Sequence, residues 1–233
     1  MRGLYAILDL TALEARSFDV LEAARAVVAA RPACMQLRAK GAGAKRTLEL
    51  LRELRTITSE HGVLLFANDR PDLAVLSKAD GAHLGQNDVP PDLALDVAER
   101  TKRPLLVGRS THNEEQLDAA LEEPIDYVAI GPVFSTSSKA DHDPVLGIER
   151  ARALARRAKA ARPTLPTCAI GGIDLARAQL LAVDFDLVAV IGALLEGAER
   201  PSDMGDRARA LVSTFGPSAL GASSDAAHPE ARA

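Results

Sequence analysis

The chain has 233 residues, with 28 Lys+Arg against 32 Asp+Glu for a formal net charge of −4, and it is 47% apolar and 26% charged. This is globular composition with length for a sizeable core, which excludes collagen-like and wholly disordered states, and the acidic balance gives no general attraction for a nucleic-acid backbone. No apolar run reaches the roughly 18 residues of a membrane helix and Asp9 cuts the N-terminal run where a signal sequence would continue, so a cytoplasmic protein without membrane or nucleic-acid partners is expected. The two cysteines, Cys34 and Cys168, stand in apolar runs without metal spacing and read as reduced core thiols. Trp is absent and aromatics are 3%, so a core of Leu, Val, Ile and Ala is expected.

Aliphatic runs with strand character are read at Leu4–Asp9, Cys34–Arg38, Leu64–Ala67, Gly81–Leu84, Leu105–Gly108, Tyr127–Gly131, Thr167–Ile170 and Leu187–Ile191. Between most of them lies a longer stretch with apolar residues at three- and four-residue spacing, as at Asp19–Val28 and Thr47–Leu54. Eight parallel strands, each followed by a helix within about 215 residues, predict an α/β fold, a (β/α)8 TIM barrel, as a single catalytic domain over residues 1–215. An open doubly wound sheet is the runner-up. It lacks its nucleotide motifs: no GxGxxG follows the first strand and no GxxxxGK[ST] occurs. Pro132–Gly147 breaks the rhythm with about 16 residues rich in Ser, Thr, Asp and Pro, the length of a functional loop. Residues 216–233 are small, polar and punctuated by Pro and Gly, and read as a disordered tail.

In a barrel of this kind, chemistry collects at the C-terminal ends of the strands, where this chain concentrates its unusual polar residues. After the second strand, alternation puts Gln36, Arg38 and Lys40 on one face. Asn68 and Asp69 follow the third strand and Asp88 the fourth. Asn or Asp before Pro71 is also a helix-cap signal, but two carboxylates without a His/Cys cluster suit a hard cation such as Mg²⁺. Ser110, Thr111 and Asn113 follow the fifth strand, where capping the next helix is the stronger reading of Thr111 and Asn113. Thr136, Ser138 and Lys139 form a hydroxyl-rich, cationic loop after the sixth strand, suited to a polyphosphate. Gly171-Gly172 and Ile191-Gly192 end the last two strands, where barrels often seat a phosphate on backbone amides. No Ser-His-Asp or Cys-His spacing is present, so catalysis by positioning and charge stabilisation is expected.

Taken together, Gln36-Leu37-Arg38-Ala39-Lys40, Asn68-Asp69-Arg70, the run from Asp80 to Asp88, Ser110-Thr111-His112, the run from Gly131 to Lys139 and Ala169-Ile170-Gly171-Gly172-Ile173 resemble the motifs of the thiamine phosphate synthase family over residues 4–195. The resemblance implies a transferase that joins hydroxymethylpyrimidine diphosphate to a thiazole phosphate and releases pyrophosphate, with one Mg²⁺ per active site. By position, Asp69 and Asp88 would ligate the metal, Arg38, Lys40, Asn68 and Lys139 would hold the diphosphate, and Gln36 and Ser110 would contact the pyrimidine. Thr136 and Ser138 would lie between the two substrates, Gly172, Ile191 and Gly192 would cradle the thiazole phosphate, and Ser110, Thr136 and Lys139 form the implied catalytic set. The substrates are the implied partners, and homo-oligomerisation stays open. Ser138 and Gly192 depart from the commoner Thr and Ser. A thiazole tautomerase on the same barrel, which would carry His in place of Pro132, and a non-catalytic phosphate-ligand sensor are the competing readings.

Overall fold

The computed structural model describes residues 1–136 and 144–215. Ser138, Lys139 and the tail at 216–233 therefore lie outside the described residues. The strands are β1 Gly3–Asp9, β2 Cys34–Arg38, β3 Leu64–Asn68, β4 Gly81–Leu84, β5 Leu106–Thr111, β6 Tyr127–Ile130, β7 Thr167–Ile170 and β8 Leu187–Val190. All pair in parallel with their sequence neighbours, and β8 returns to β1, closing the (β/α)8 barrel. The helices among the described residues are α1 Leu10–Glu14, α2 Val20–Val28, α3 Ala44–Ser59, α4 Pro71–Ser77, α5 Pro91–Arg100, α6 Glu114–Glu122, α7 Ile148–Ala161, α8 Leu175–Leu181, α9 Gly192–Leu195 and α10 Asp203–Ser213.

Eight helices are expected from the sequence and ten are seen, the additions α1 and α9 being single turns directly after β1 and β8. The Asp9 side chain starts α1 by accepting the Ala12 amide at 2.9 Å, and Asp19 starts α2 by accepting the amides of Leu21 and Glu22. Strand β5 runs past its expected end at Gly108 because Ser110 and Thr111 pair with Ala129 and Ile130 of β6. No described helix is long and apolar enough to cross a membrane.

Two cores follow from the period of two along each strand. Outward residues such as Leu4, Leu8, Met35, Leu65, Val107 and Val188 pack against the helices, as expected for an aliphatic sequence. The inner core departs from that expectation, since Tyr5, Phe66 and Tyr127 meet inside the barrel with ring centroids 5.6–5.8 Å apart. Register makes the room: Phe66 lies opposite Gly81, and Tyr127 opposite Gly108. A Cβ on Gly81 would overlap the Phe66 ring, and one on Gly108 would overlap the Tyr127 ring. Small beside large fills the tapering interior. Cys34 and Cys168 share this core as free thiols, and burial pushes both thiols up in pKa.

Gly108→Ala is accordingly expected to lower the unfolding free energy by about 1–3 kcal/mol through overpacking. Urea denaturation measures the loss, and a double-mutant cycle with Tyr127→Ala should give non-additive values because both changes act on one contact.

Candidate functional site

A cavity of about 550 Å³ opens at the C-terminal ends of the strands. Its wall includes Gln36, Arg38, Lys40, Asn68, Asp69, Asp88, Ser110 and Ile191, all expected from the sequence. His83, Gly85, Gln86, Asn87, His112 and Gln116 join them without having been singled out. Gly172 and Gly192 adjoin the cavity wall without forming it: they sit just after β7 and β8, whose flanking residues Ile170 and Ile191 line it. Thr136 is half-buried after β6 and is not among the wall residues.

Asp69 and Asp88 come together at the rim from β3 and β4. The Asp69 backbone is left-handed, with φ 63°, and its amide donates to the His83 carbonyl at 2.8 Å. Such a conformation is costly outside glycine and clusters at functional sites. Neither Asn68 nor Asp69 caps the next helix: the N-cap of α4 is Arg70, which gives no side-chain cap bond, so the capping reading of this pair falls. The Asp88 carboxylate accepts the Gly85 amide at 2.7 Å. Burial and the neighbouring Asp88 carboxylate push the Asp69 pKa up, while Lys40, whose Nζ lies 3.3 Å away, opposes the shift. Two partly desolvated carboxylates side by side, with an amide from Asn68 beside them, are an oxygen donor set for a hard divalent cation. No cluster of three or more His, Cys, Asp or Glu ligands exists among the described residues, so water or a substrate would complete the shell.

Arg38 is aimed across the mouth by Asp9, with which it forms a largely buried ion pair. The same Asp9 carboxylate caps α1, so one buried acid orients both the helix and the guanidinium. Nothing in the spacing announces this partner, because it stands 29 residues away on the adjacent strand.

Beneath the rim a hydrogen-bonded chain crosses the barrel. Gln36 Nε2 donates to Tyr5 Oη at 2.6 Å, Tyr127 Oη donates to the same oxygen at 3.0 Å, and His83 bonds Tyr127 Oη through Nδ1 at 2.7 Å and Ser110 Oγ through Nε2 at 2.8 Å. The His83 ring stacks on Tyr127, 5.6 Å between centroids. Burial raises both phenol pKa values, so both hydroxyls stay protonated. Gln36 and Ser110 are thus two ends of one polar network. Of the neighbours of Ser110, Asn113 caps α6 by accepting the Gln116 amide, as expected, whereas Thr111 does not cap it: it ends β5, and its hydroxyl donates to the Ala129 carbonyl. The signal that could have revealed His83 is its place two residues after Gly81, facing inward at a strand end.

A family model described as thiamine monophosphate synthase matches residues 4–194. The chain is 37% identical over 208 residues to the thiamine-phosphate synthase of Mycolicibacterium smegmatis, covering 85% of this chain and 88% of the relative. It is 42% identical over 166 residues to that of Thermus thermophilus, covering 71% and 76%. To that of Synechococcus sp. it is 38% identical over 182 residues, 76% of this chain, and there it spans 47% of the relative's length. Among solved structures, a thiamine phosphate pyrophosphorylase from Pyrococcus furiosus aligns with TM-score 0.76 at 29% identity over 91% of this chain and 95% of the other.

The raised Asp69 pKa gives a stability prediction with a definite sign. A carboxyl whose folded pKa exceeds its ordinary 3.8 favours the folded state while protonated, and that contribution is lost as pH rises through the folded value. Asp69→Asn removes the loss, so in a chelator at pH 7 the variant should melt above the native chain, with the gap closing as pH falls back toward the ordinary carboxyl range. Thermal melts across pH measure it; a variant that melts lower at neutral pH contradicts the assignment.

Proposed function

Because the chain belongs to the thiamine monophosphate synthase family, we propose that its cavity is the transferase site in which a pyrimidine diphosphate and a thiazole phosphate are joined to thiamine phosphate with release of pyrophosphate. The observation that carries the reading is the division of the cavity into a charged rim, with Asp69, Asp88, Arg38 and Lys40, above a hydrogen-bonded floor of Gln36, Tyr5, Tyr127, His83 and Ser110.

The residues act by holding charge and orientation. Gln36 and Ser110, fixed by the Tyr5–Tyr127–His83 chain, meet the polar edge of the pyrimidine and set the direction of its methylene carbon. Arg38, Lys40 and Asn68 receive the diphosphate oxygens, and Lys139, outside the described residues, would add a further cation. The carbon–oxygen bond breaks with its electron pair leaving on pyrophosphate, and the thiazole nitrogen gives its lone pair to the resulting cationic carbon. No protein nucleophile is needed, in agreement with the absence of a nucleophilic triad. Ser110 and Thr136 would complete the catalytic set with Lys139, Thr136 and Ser138 would serve both substrates, and Gly172, Ile191 and Gly192 would offer backbone to the thiazole phosphate. Gly172 fits only as glycine: its φ is 64° and a Cβ would meet the carbonyls of Phe134 and Ser135.

Mg²⁺, held by Asp69 and Asp88, would neutralise charge on the departing pyrophosphate. The two carboxylates support this, since magnesium is commonly bound by one or two acids plus substrate phosphates. A cytoplasmic setting is proposed with the function, supported by the two unpaired cysteines.

Pyrophosphate release, followed with both substrates and Mg²⁺, tests the reading. Asp88→Ala is expected to reduce the rate by about 100-fold or more, and release that ignores thiazole phosphate would refute the transferase assignment. A second measurement concerns Gly192, where a Cβ meets nothing within 4 Å and a hydroxyl can be added without strain. One charge-assisted hydrogen bond is worth about 1.5–3 kcal/mol, so Gly192→Ser should tighten thiazole phosphate binding by about tenfold or more. An unchanged affinity removes the phosphate from this position.

A further inference from the structure

We infer that Arg109 is a positioning residue, which from outside the barrel fixes the Gly85–Asp88 turn and so sets where the Asp88 carboxylate points. The inference rests on the reading of Asp88 as a metal ligand.

The outward face of β5 consists of Val107, Arg109 and Thr111, and the charged member is buried between fully buried neighbours, with 8% exposure. A guanidinium in such a place sheds its hydration and is retained only where its hydrogen bonds replace it. Arg109 Nη1 donates to the Gly85 carbonyl at 2.7 Å, and Nε stands 3.1 Å from Glu123 Oε2, just beyond α6. The Gly85 carbonyl also accepts the Asp88 amide at 3.3 Å, while the Gly85 amide donates to the Asp88 carboxylate at 2.7 Å. Asp88 is therefore tied at backbone and side chain to one glycine. Glycine turns freely about φ and ψ, so this pivot has a direction only if something outside holds it. Arg109 supplies that hold: its guanidinium spans the Gly85 carbonyl, hydrogen-bonded at Nη1, and Glu123, which balances the charge at Nε without a hydrogen bond, and an ammonium has no second nitrogen to span both. The next residue of the turn is tied to the same strand, Gln86 Nε2 donating to the Ser110 carbonyl at 2.5 Å. Strand β5 thus presents Ser110 Oγ to the cavity floor and uses Arg109 and the Ser110 carbonyl to hold the carboxylate at the rim.

The test uses the full chain and Mn²⁺ titrated calorimetrically with inorganic pyrophosphate, so that binding is read without turnover. Arg109→Met alone would leave Glu123 buried without its counterion, so the principal variant is Arg109→Met/Glu123→Leu. Outer partners of metal ligands are worth about 10- to 100-fold in metal affinity, so Mn²⁺ affinity should fall by about tenfold or more. The Mg²⁺ concentration for half-maximal pyrophosphate release should rise by the same factor, with kcat at saturating Mg²⁺ changed by less than about twofold. Arg109→Lys, which keeps the charge beside Glu123 and loses the fork, should shift both in the same direction and decides the matter if the double variant does not fold. Native Mn²⁺ affinity and Mg²⁺ requirement in a folded variant, or a kcat loss that Mg²⁺ does not restore, overturns the inference while Asp88→Ala still weakens Mn²⁺ binding. If Asp88→Ala leaves Mn²⁺ affinity unchanged, the metal reading itself fails, and this inference with it.

Discussion

The pairing of glycine against aromatic residue inside the barrel governs the rest of the structure. Phe66 and Tyr127 can stand inside only because Gly81 and Gly108 face them across the ladder, and once they stand there the interior is closed from below. A substrate can then penetrate only as far as the ring layer. The same rings carry the hydroxyls that fix Gln36 and His83, so the element that sets the depth of the cavity also sets the orientation of its polar groups. Packing and recognition are one constraint here, and a closed barrel filled with side chains is what allows it.

Charge is stratified above that floor. The phenols stay protonated below the rim, while Asp69, Asp88, Lys40 and Arg38 occupy the mouth. In the proposed function a polyanion would meet Arg38, Lys40 and a cation held by the two carboxylates at the mouth, and the organic part of the substrate would lie against the hydrogen-bonded network beneath. Holding charges in fixed places ahead of the reaction is the main means by which such a site lowers a barrier. The cost falls on the apo protein, which must keep two carboxylates close together.

Much of this was legible in the sequence, and the limit of legibility has a physical form. The strands were marked by short aliphatic runs, and period two put Gln36, Arg38 and Lys40 on one face. What spacing does not tell is who faces whom across the barrel. Asp9 beside Arg38, Tyr127 stacked on His83 and Glu123 beside Arg109 are contacts between separated segments, created by strand register and helix packing. The last residues of β5 were missed for a related reason. Arg109, Ser110 and Thr111 are polar, and their place in a strand follows from pairing with β6 and from burial, neither of which is a local property. The aliphatic core expected from 3% aromatics held for the outer layer and failed for the inner one, because composition counts rings without saying where they gather.

The two cysteines occupy a place that bears on the chemistry above them. Cys34 is one inward position deeper than Gln36 on β2, and Cys168 one deeper than Ile170 on β7, so each lies immediately under a residue of the cavity wall without belonging to it. A carbon centre that departs from pyrophosphate as a cation alkylates the best nucleophile in reach, and a thiolate would outcompete a thiazole nitrogen. Burial keeps both sulfurs protonated, and the layer of wall residues keeps them out of reach. In the proposed reaction, the depth of the thiols would keep them from being alkylated by the cationic carbon.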